Sequence, residues 1–329
     1  MSRFALTVSL FVTSVTTTWA DGFPQHFTHR YGTTIVVDEP QKVVSISYIG
    51  HDFLLALGVK PYALRKWYGT DAFGVWPWGH EALGDATPIV LQGQLDFEQI
   101  AALRPDLIVG QWSGISEQDY KILSRIAPTI APQVGFGDYG MRWQDMLATL
   151  GRATDTTAKA QAIINRIETR FTTLRAQHPE WQDASAVMVF PGQTGAYTAR
   201  DIRGRFLEDL GFKVPAAINE HPMADNFYVL IPDEDLSAID TDALIWLDAG
   251  GSIPTLQKMP LRPHMTAFKE GREVYASPML SAALSHSSPL SLDYALDALI
   301  PLLEAATDGN PRTVVPSMQK AGIAPAFDG

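Results

Sequence analysis

A twelve-residue phrase occurs twice in this chain, and any fold it adopts must accommodate both copies. Residues 98–109 carry Glu98, Ile100, Ala102, Leu103, Asp106 and a closing apolar run; residues 234–245 carry Glu234, Leu236, Ala238, Ile239, Asp242 and a matching run. Each copy places apolar residues at helical spacing, then a polar turn, then a stretch that reads as a buried strand. Asp96 and Gln99 stand in a capping-box pattern at the first copy, and Pro232, Asp233 and Glu234 make a favoured helix start at the second. A unit written twice predicts two α/β lobes of similar construction. Two lobes in one chain leave a cleft, and small ligands bind in such clefts.

The rest of the chain fits that division. In the first half, strand patterns at residues 33–37, 43–47, 62–66, 107–111 and 129–131 alternate with helical ones at 51–57, 117–126 and 143–150, the first closed by Gly58. The second half repeats the alternation, with strands at 186–190, 244–248 and 273–276 and helices at 205–210 and 292–304. Strands and helices in alternation indicate parallel sheet. Between the halves, Ala160, Ile163, Ile164, Ile167, Phe171 and Leu174 fall on one stripe of residues 156–177. A helix over that segment would run about 33 Å, long enough to lie along both lobes as a stiff strut. The expected fold class is α/β, two Rossmann-like lobes bridged by a single long helix. The expected divisions are a signal at 1–20, an N-terminal lobe at 21–152, the interlobe helix at 153–180, a C-terminal lobe at 181–305 and a tail without sustained period at 306–329.

Composition narrows the function. Arg3, a mostly apolar stretch at 5–15 and Thr18-Trp19-Ala20 ahead of Asp21 form a secretory signal pattern. Its apolar part is well short of the roughly 20 residues that a spanning helix needs. The chain has no cysteine, so disulfides, thiol catalysis, thiolate metal sites and a lipid-bearing cysteine are all excluded. A free periplasmic protein is the expectation. The net charge is −11, one unit more negative once Arg3 is removed, which makes nucleic acid and anionic membranes poor partners. The eight histidines are scattered with no i, i+4 pair, and no zinc-binding HExxH helix or phosphate-cradling loop is present. Residues 110–114 only approach the nucleophile-elbow pattern, because Ser113 stands one position late. An exported hydrolase is therefore the weaker reading, and no metal or cofactor site of the protein's own is expected.

A run of phrases then carries a family likeness. Lys42-Val43-Val44-Ser45, Leu55-Ala56-Leu57-Gly58-Val59, Leu103-Arg104-Pro105-Asp106-Leu107-Ile108, Ile126-Ala127-Pro128-Thr129, Trp143-Gln144-Asp145, Glu208-Asp209-Leu210-Gly211 and Ser291-Leu292-Asp293-Tyr294-Ala295 follow one another in an order that resembles the periplasmic binding proteins of iron–siderophore ABC importers, of ferric-enterobactin and ferric-dicitrate type. The likeness covers roughly residues 30 to 303. It implies two α/β lobes spanned by one helix, capture of a ferric siderophore, and delivery to an ABC permease at the inner membrane by a monomeric protein. It also implies that a glutamate on each lobe meets permease arginines, and the matching positions are Glu98 and Glu234. Complementary charge at such a contact fixes register and speeds encounter. The same glutamates also suit helix N-termini.

A ferric chelate brings its metal already coordinated, so the protein needs flat apolar surfaces and cations rather than metal ligands. In open α/β lobes the ligand sits beyond the C-terminal ends of the strands. That rule selects Tyr48, Arg65, Trp67 and Trp112 from the first lobe, and Tyr197 and Arg200 from the second; Arg203 joins them as ligand-facing, although Arg200, Arg203 and Arg205 equally suit a solvated helix start, where cations oppose the helix dipole. Trp76 and Trp78 are added from an aromatic loop, and Tyr139 and Arg142 from a glycine-rich one. Where enterobactin-type relatives can carry an arginine just before Leu292, this chain has Ser291, with His286 in the same loop. Catecholate, mixed, hydroxamate and citrate chelates all stay open. Haem or cobalamin is the alternative ligand of the same transporter class, with Tyr48, Tyr139 or His286 available as an axial haem ligand.

Overall fold

The computed structural model describes residues 22–221, 227–248 and 250–325. The expected signal, residues 1–20, lies outside the described residues. Two five-stranded sheets dominate. The first is built from β3 (Val43–Ser45), β4 (Ala63–Arg65), β5 (Ile89–Leu91), β6 (Leu107–Val109) and β7 (Thr129–Ile130), in the order β5-β4-β3-β6-β7 with every pairing parallel. The second is built from β8 (Ala186–Phe190), β9 (Gly195–Tyr197), β10 (Tyr228–Leu230), β11 (Ala243–Leu247) and β12 (Glu273–Ala276), in the order β10-β9-β8-β11-β12. Here β8, β11 and β12 are parallel, while β9 and β10 pair antiparallel. The expectation of purely parallel sheet thus holds for the first lobe and fails at one edge of the second, where a short turn after β8 returns the chain as a hairpin. An additional hairpin, β1 (Gln25–His29) with β2 (Gly32–Val36), precedes the first sheet. Only its second strand has a legible sequence pattern.

The central strands are apolar on both faces: β3, β6 and β11 are buried throughout. Helices covering both sides of a sheet require that pattern. Helix Gly50–Leu57 ends, as its sequence indicates, at Gly58 in the left-handed region with φ 84°. Helix Thr157–Gln177 realises the bridging strut, 21 residues or about 31 Å. Its Ala160, Ile164, Ile167 and Phe171 are buried, packing against helix Trp143–Ala153 of the first lobe and helix Ile202–Leu210 of the second. Phe171 meets Phe206 edge-on at 5.3 Å. Arg166 and Arg170 both reach Asp293 at 2.8 Å on helix Ser291–Ala306, so the strut is tied to the second lobe by charge as well as by apolar burial.

The repeated phrase does the same work twice at its aspartate and different work at its helix. Asp106 accepts from the backbone N–H groups of Gln41 and Lys42 at 2.8 Å, pinning the entry to β3. Asp242 accepts from the N–H of Ser185 at 2.9 Å, pinning the entry to β8. Each carboxylate therefore fastens one central strand to its neighbour. The first copy forms helix Phe97–Leu103, with Asp96 accepting from the Gln99 N–H. The second copy does not form the expected α-helix; only a 3-10 turn, Ser237–Ile239, is present. Asp235 takes the Ser237 N–H, and Asp240 receives N–H groups from Thr266 and Ala267. These side chains offer the backbone partners outside a helix. The stretch read as a tail contains helix Pro316–Ala321, packed against β12 with Met318 buried.

Candidate functional site

Strand ends and loops of the first lobe bring its aromatic residues into one continuous row. Starting from Tyr48, ring centroids step 5.9 Å to Trp67, 5.2 Å to Trp112 and 4.9 Å to Tyr139. Another branch runs from Trp67 to Tyr68 at 4.7 Å, to Trp76 at 5.6 Å and to Trp78 at 5.4 Å, the last pair stacked. Both branches then cross to the second lobe. Tyr139 meets Phe227 at 5.2 Å, and Trp78 meets Tyr294 at 6.2 Å. Apart from Trp112 these rings are only partly buried, and Tyr48, Trp67, Trp78, Tyr139, Phe227 and Tyr294 pack on the main core from outside it.

Local backbone features aim the row. Trp112 follows β6 with φ 55°, in the left-handed region that a bulky side chain rarely adopts. That turn lets its indole Nε1–H donate to Tyr139 O at 2.8 Å. Gly114, at φ 68°, lies directly under Tyr139, where an added Cβ would collide with the hydroxyl. Strain of this kind concentrates at ligand clamps.

Each lobe also contributes a buried arginine laid over a tyrosine. Arg65 sits 4.2 Å from the Tyr48 ring centre and donates to Gly93 O at 3.0 Å. Arg203 sits 3.6 Å from that of Tyr197 and is held by Asp201 through two bonds of 2.6 and 2.8 Å. The Asp201 charge and hydrogen bonds keep that guanidinium protonated despite its burial. Arg203 also reaches Ser285 Oγ at 3.4 Å. Burial pushes the Tyr68 phenol up to about 12, so it remains a neutral hydrogen-bonding group.

Below the row lies a polar seam. His286, at the end of helix Pro278–His286, places its ring 5.3 Å from Trp78 and 5.5 Å from Trp67. Its Nδ1 bonds Ala282 O at 2.8 Å. Asp52, fully buried, accepts from Trp78 Nε1 at 2.7 Å and from Ser288 Oγ at 2.6 Å. One carboxylate thus ties the first lobe, its aromatic loop and the second lobe together. Burial lowers His286 to about 4 and lowers His51 as well. Neither is charged at neutral pH.

A cavity of about 690 Å³ opens between the lobes, lined by residues 135–140 of the first and by Arg200, Arg205 and Phe227 of the second. Its volume falls within the range of small-molecule sites. Tyr139 and Phe227 join it to the aromatic row. The structure therefore brings together Tyr48, Arg65, Trp67, Trp76, Trp78, Trp112, Tyr139, Tyr197, Arg200 and Arg203. Arg142 is the exception. It is exposed and lines a separate cavity of about 240 Å³ with Trp143 and Phe171, against the bridging helix. The sequence pattern does not single out Tyr68, Phe227 or Tyr294, and it offers His286 only as an axial haem ligand. Tyr68 adjoins Trp67 in the aromatic loop, which was a usable signal; the other three are placed only by how the lobes meet. Glu98 and Glu234 are both exposed.

Ser113 is buried with its hydroxyl given to Gly110 O, which leaves no activated nucleophile there. Among the described residues no group of three histidines or carboxylates could hold a metal ion, and no helix is long and apolar enough to cross a membrane.

Comparison with known proteins gives the family. The ferric enterobactin-binding periplasmic protein FepB of Escherichia coli O6:H1 is 25% identical over 311 residues, 89% of this chain and 96% of its own. The probable siderophore-binding lipoprotein YfiY of Bacillus subtilis is 29% identical over 195 residues, and the match spans 57% of this chain and 56% of that protein. Among solved structures, PiaA of Streptococcus pneumoniae TIGR4 in complex with ferrichrome superposes with a TM-score of 0.74 at 28% identity, covering 87% of this chain and 99% of that one. The family model for periplasmic binding proteins matches residues 43–278, which takes in every strand of both large sheets and the helix between them, and the chain belongs to that family.

Proposed function

We propose that this protein captures a ferric siderophore in the periplasm and delivers it to an ABC permease for iron uptake. The observation that carries the reading is the aromatic row that crosses from one lobe to the other beside a cavity of about 690 Å³. A preassembled metal chelate is large, flat-sided and in no need of protein metal ligands, and rings with stacked arginines suit it. Family membership and the relatives' ferric ligands support the same choice. Periplasmic release after cleavage at residue 20, without a lipid anchor, fits the absence of cysteine. The protein acts as a monomeric carrier rather than an enzyme.

Glu98 and Glu234, one on each copy of the repeat and both exposed, are the proposed contacts for permease arginines. One carboxylate per lobe lets the membrane partner sense how the lobes stand relative to each other. The strut tied to both lobes restricts closure to a small hinge adjustment.

Tryptophan quenching tests the reading, because four tryptophans lie in the row. Titration with ferric siderophores should quench fluorescence with saturable, tight binding. A Soret shift with haem, or quenching by cobalamin, together with no response to any ferric siderophore would overturn it.

A further inference from the structure

We infer that the ligand is an electroneutral ferric complex of hydroxamate type rather than an anionic catecholate or citrate complex. The inference rests on the siderophore reading and adds the charge of the ligand to it. Three hydroxamates balance trivalent iron and leave a neutral complex. Three catecholates supply six phenolate oxygens and leave a strongly anionic one, which a desolvated cleft accepts only where unspent cations meet it.

The cleft has few to offer. Arg203 is neutralised in place by the bidentate Asp201 carboxylate, and both groups are buried. Arg65 keeps its charge, but its terminal nitrogens already donate to Ser113 O and Gly93 O, and its face lies on Tyr48. Behind the rings, Asp52 spends its carboxylate on two hydrogen bonds, from Trp78 and Ser288. His51 and His286 are held neutral by burial. At the cavity, Asp138 is paired with Arg30. Arg205 donates to Gly140 O and has Arg142 beside it as well as Asp201, Glu208 and Asp145. Arg200 is exposed at the rim, where solvent and salt screen it. Position 291, where helix Ser291–Ala306 begins, holds a buried serine bonded to Ala283 O. The remaining surface is aromatic, and ring faces carry negative quadrupole density that favours neutral or cationic contacts. A ring-lined cleft whose buried arginines are already engaged selects a ligand with little net charge.

Ferrichrome, ferric enterobactin, ferric dicitrate, haem and cobalamin titrated against intrinsic tryptophan fluorescence, each at low and high salt, form the test. Ferrichrome should bind at least about tenfold tighter than ferric enterobactin, with an affinity nearly independent of salt. Equal or tighter binding of the anionic chelates, or a steep loss of ferrichrome affinity with salt, overturns this inference while leaving siderophore capture standing. Binding of haem or cobalamin alone overturns both. Asp201→Asn, with folding checked by circular dichroism, exposes the Arg203 charge and should shift the ratio toward ferric enterobactin by about tenfold; an unchanged ratio in a folded variant counts against the charge-balance argument.

Discussion

The two faces of the cleft are made differently. The first lobe presents rings: Tyr48, Trp67, Tyr68, Trp76, Trp78, Trp112 and Tyr139 stand on loops beyond a wholly parallel sheet. The second lobe presents a matched ion pair, Asp201 with Arg203, and a histidine and serines from the turn at residues 285–291. Lobes that share a repeated strand-pinning aspartate have thus diverged where the ligand would lie. The lesson is a division of labour: one face supplies contact area, while the other supplies polar groups that register the lobes against each other.

Outside the cleft each lobe exposes one glutamate of the repeated phrase, and this is where the largest effect is expected. Charge reversal at both Glu98→Lys and Glu234→Lys should abolish iron uptake in cells while siderophore affinity of the purified protein stays intact. Loss of affinity in that variant would show that the exposed carboxylates serve the fold or the ligand instead.

The polar face should make itself known through pH. Burial holds His286 at about 4 against an ordinary 6.5. As pH falls below 6.5 the unfolded chain takes up a proton that the folded chain refuses until about 4, so stability is fully present above 6.5 and declines across that window, by up to about 3 kcal/mol from this group. His51 adds to the same trend. Denaturant unfolding at several pH values would measure the slope, and His286→Gln should flatten it; an equal slope in the variant would place the acid sensitivity elsewhere.

The ring face should answer to truncation. Trp67 touches Tyr48, Tyr68, Trp112 and His286, so Trp67→Ala should cost about 2 kcal/mol of binding, roughly thirtyfold in affinity by calorimetry. An effect below threefold would mean that the rings pack the lobe rather than hold a ligand. The smallest effect sharpens the geometry: Gly114→Ala forces a Cβ against Tyr139 at a left-handed backbone position. It should destabilise the fold by about 1 kcal/mol or more and weaken binding modestly, read by thermal unfolding and the same titration.

Periodicity made the strut legible, since a stripe of apolar residues every third or fourth position leaves a helix of that length only one face to bury. The paired aspartates were legible too, because a carboxylate before a buried strand has backbone N–H groups within reach. The helix expected after Glu234 was not legible as a single 3-10 turn, because Asp235 and Asp240 spend their carboxylates on backbone groups that the pattern does not display. The helix at Pro316–Ala321 escaped for a related reason: its six residues are too few to show a period, and it is held by packing on β12.

For the candidate site, sequence displayed part of the cast, since aromatic and cationic residues gathered in loops after strands have little core to occupy, but it did not display Phe227 or Tyr294. Tertiary structure decided who meets whom. Asp52 and Ser288 lie 236 positions apart yet share a hydrogen bond, and Asp201 cancels an arginine that the sequence displays as available. Residue identity fixes which charges and rings exist. Only the folded arrangement decides which of them are spent on each other and which remain for a ligand, because electrostatic and ring contacts depend on distance through space and not along the chain.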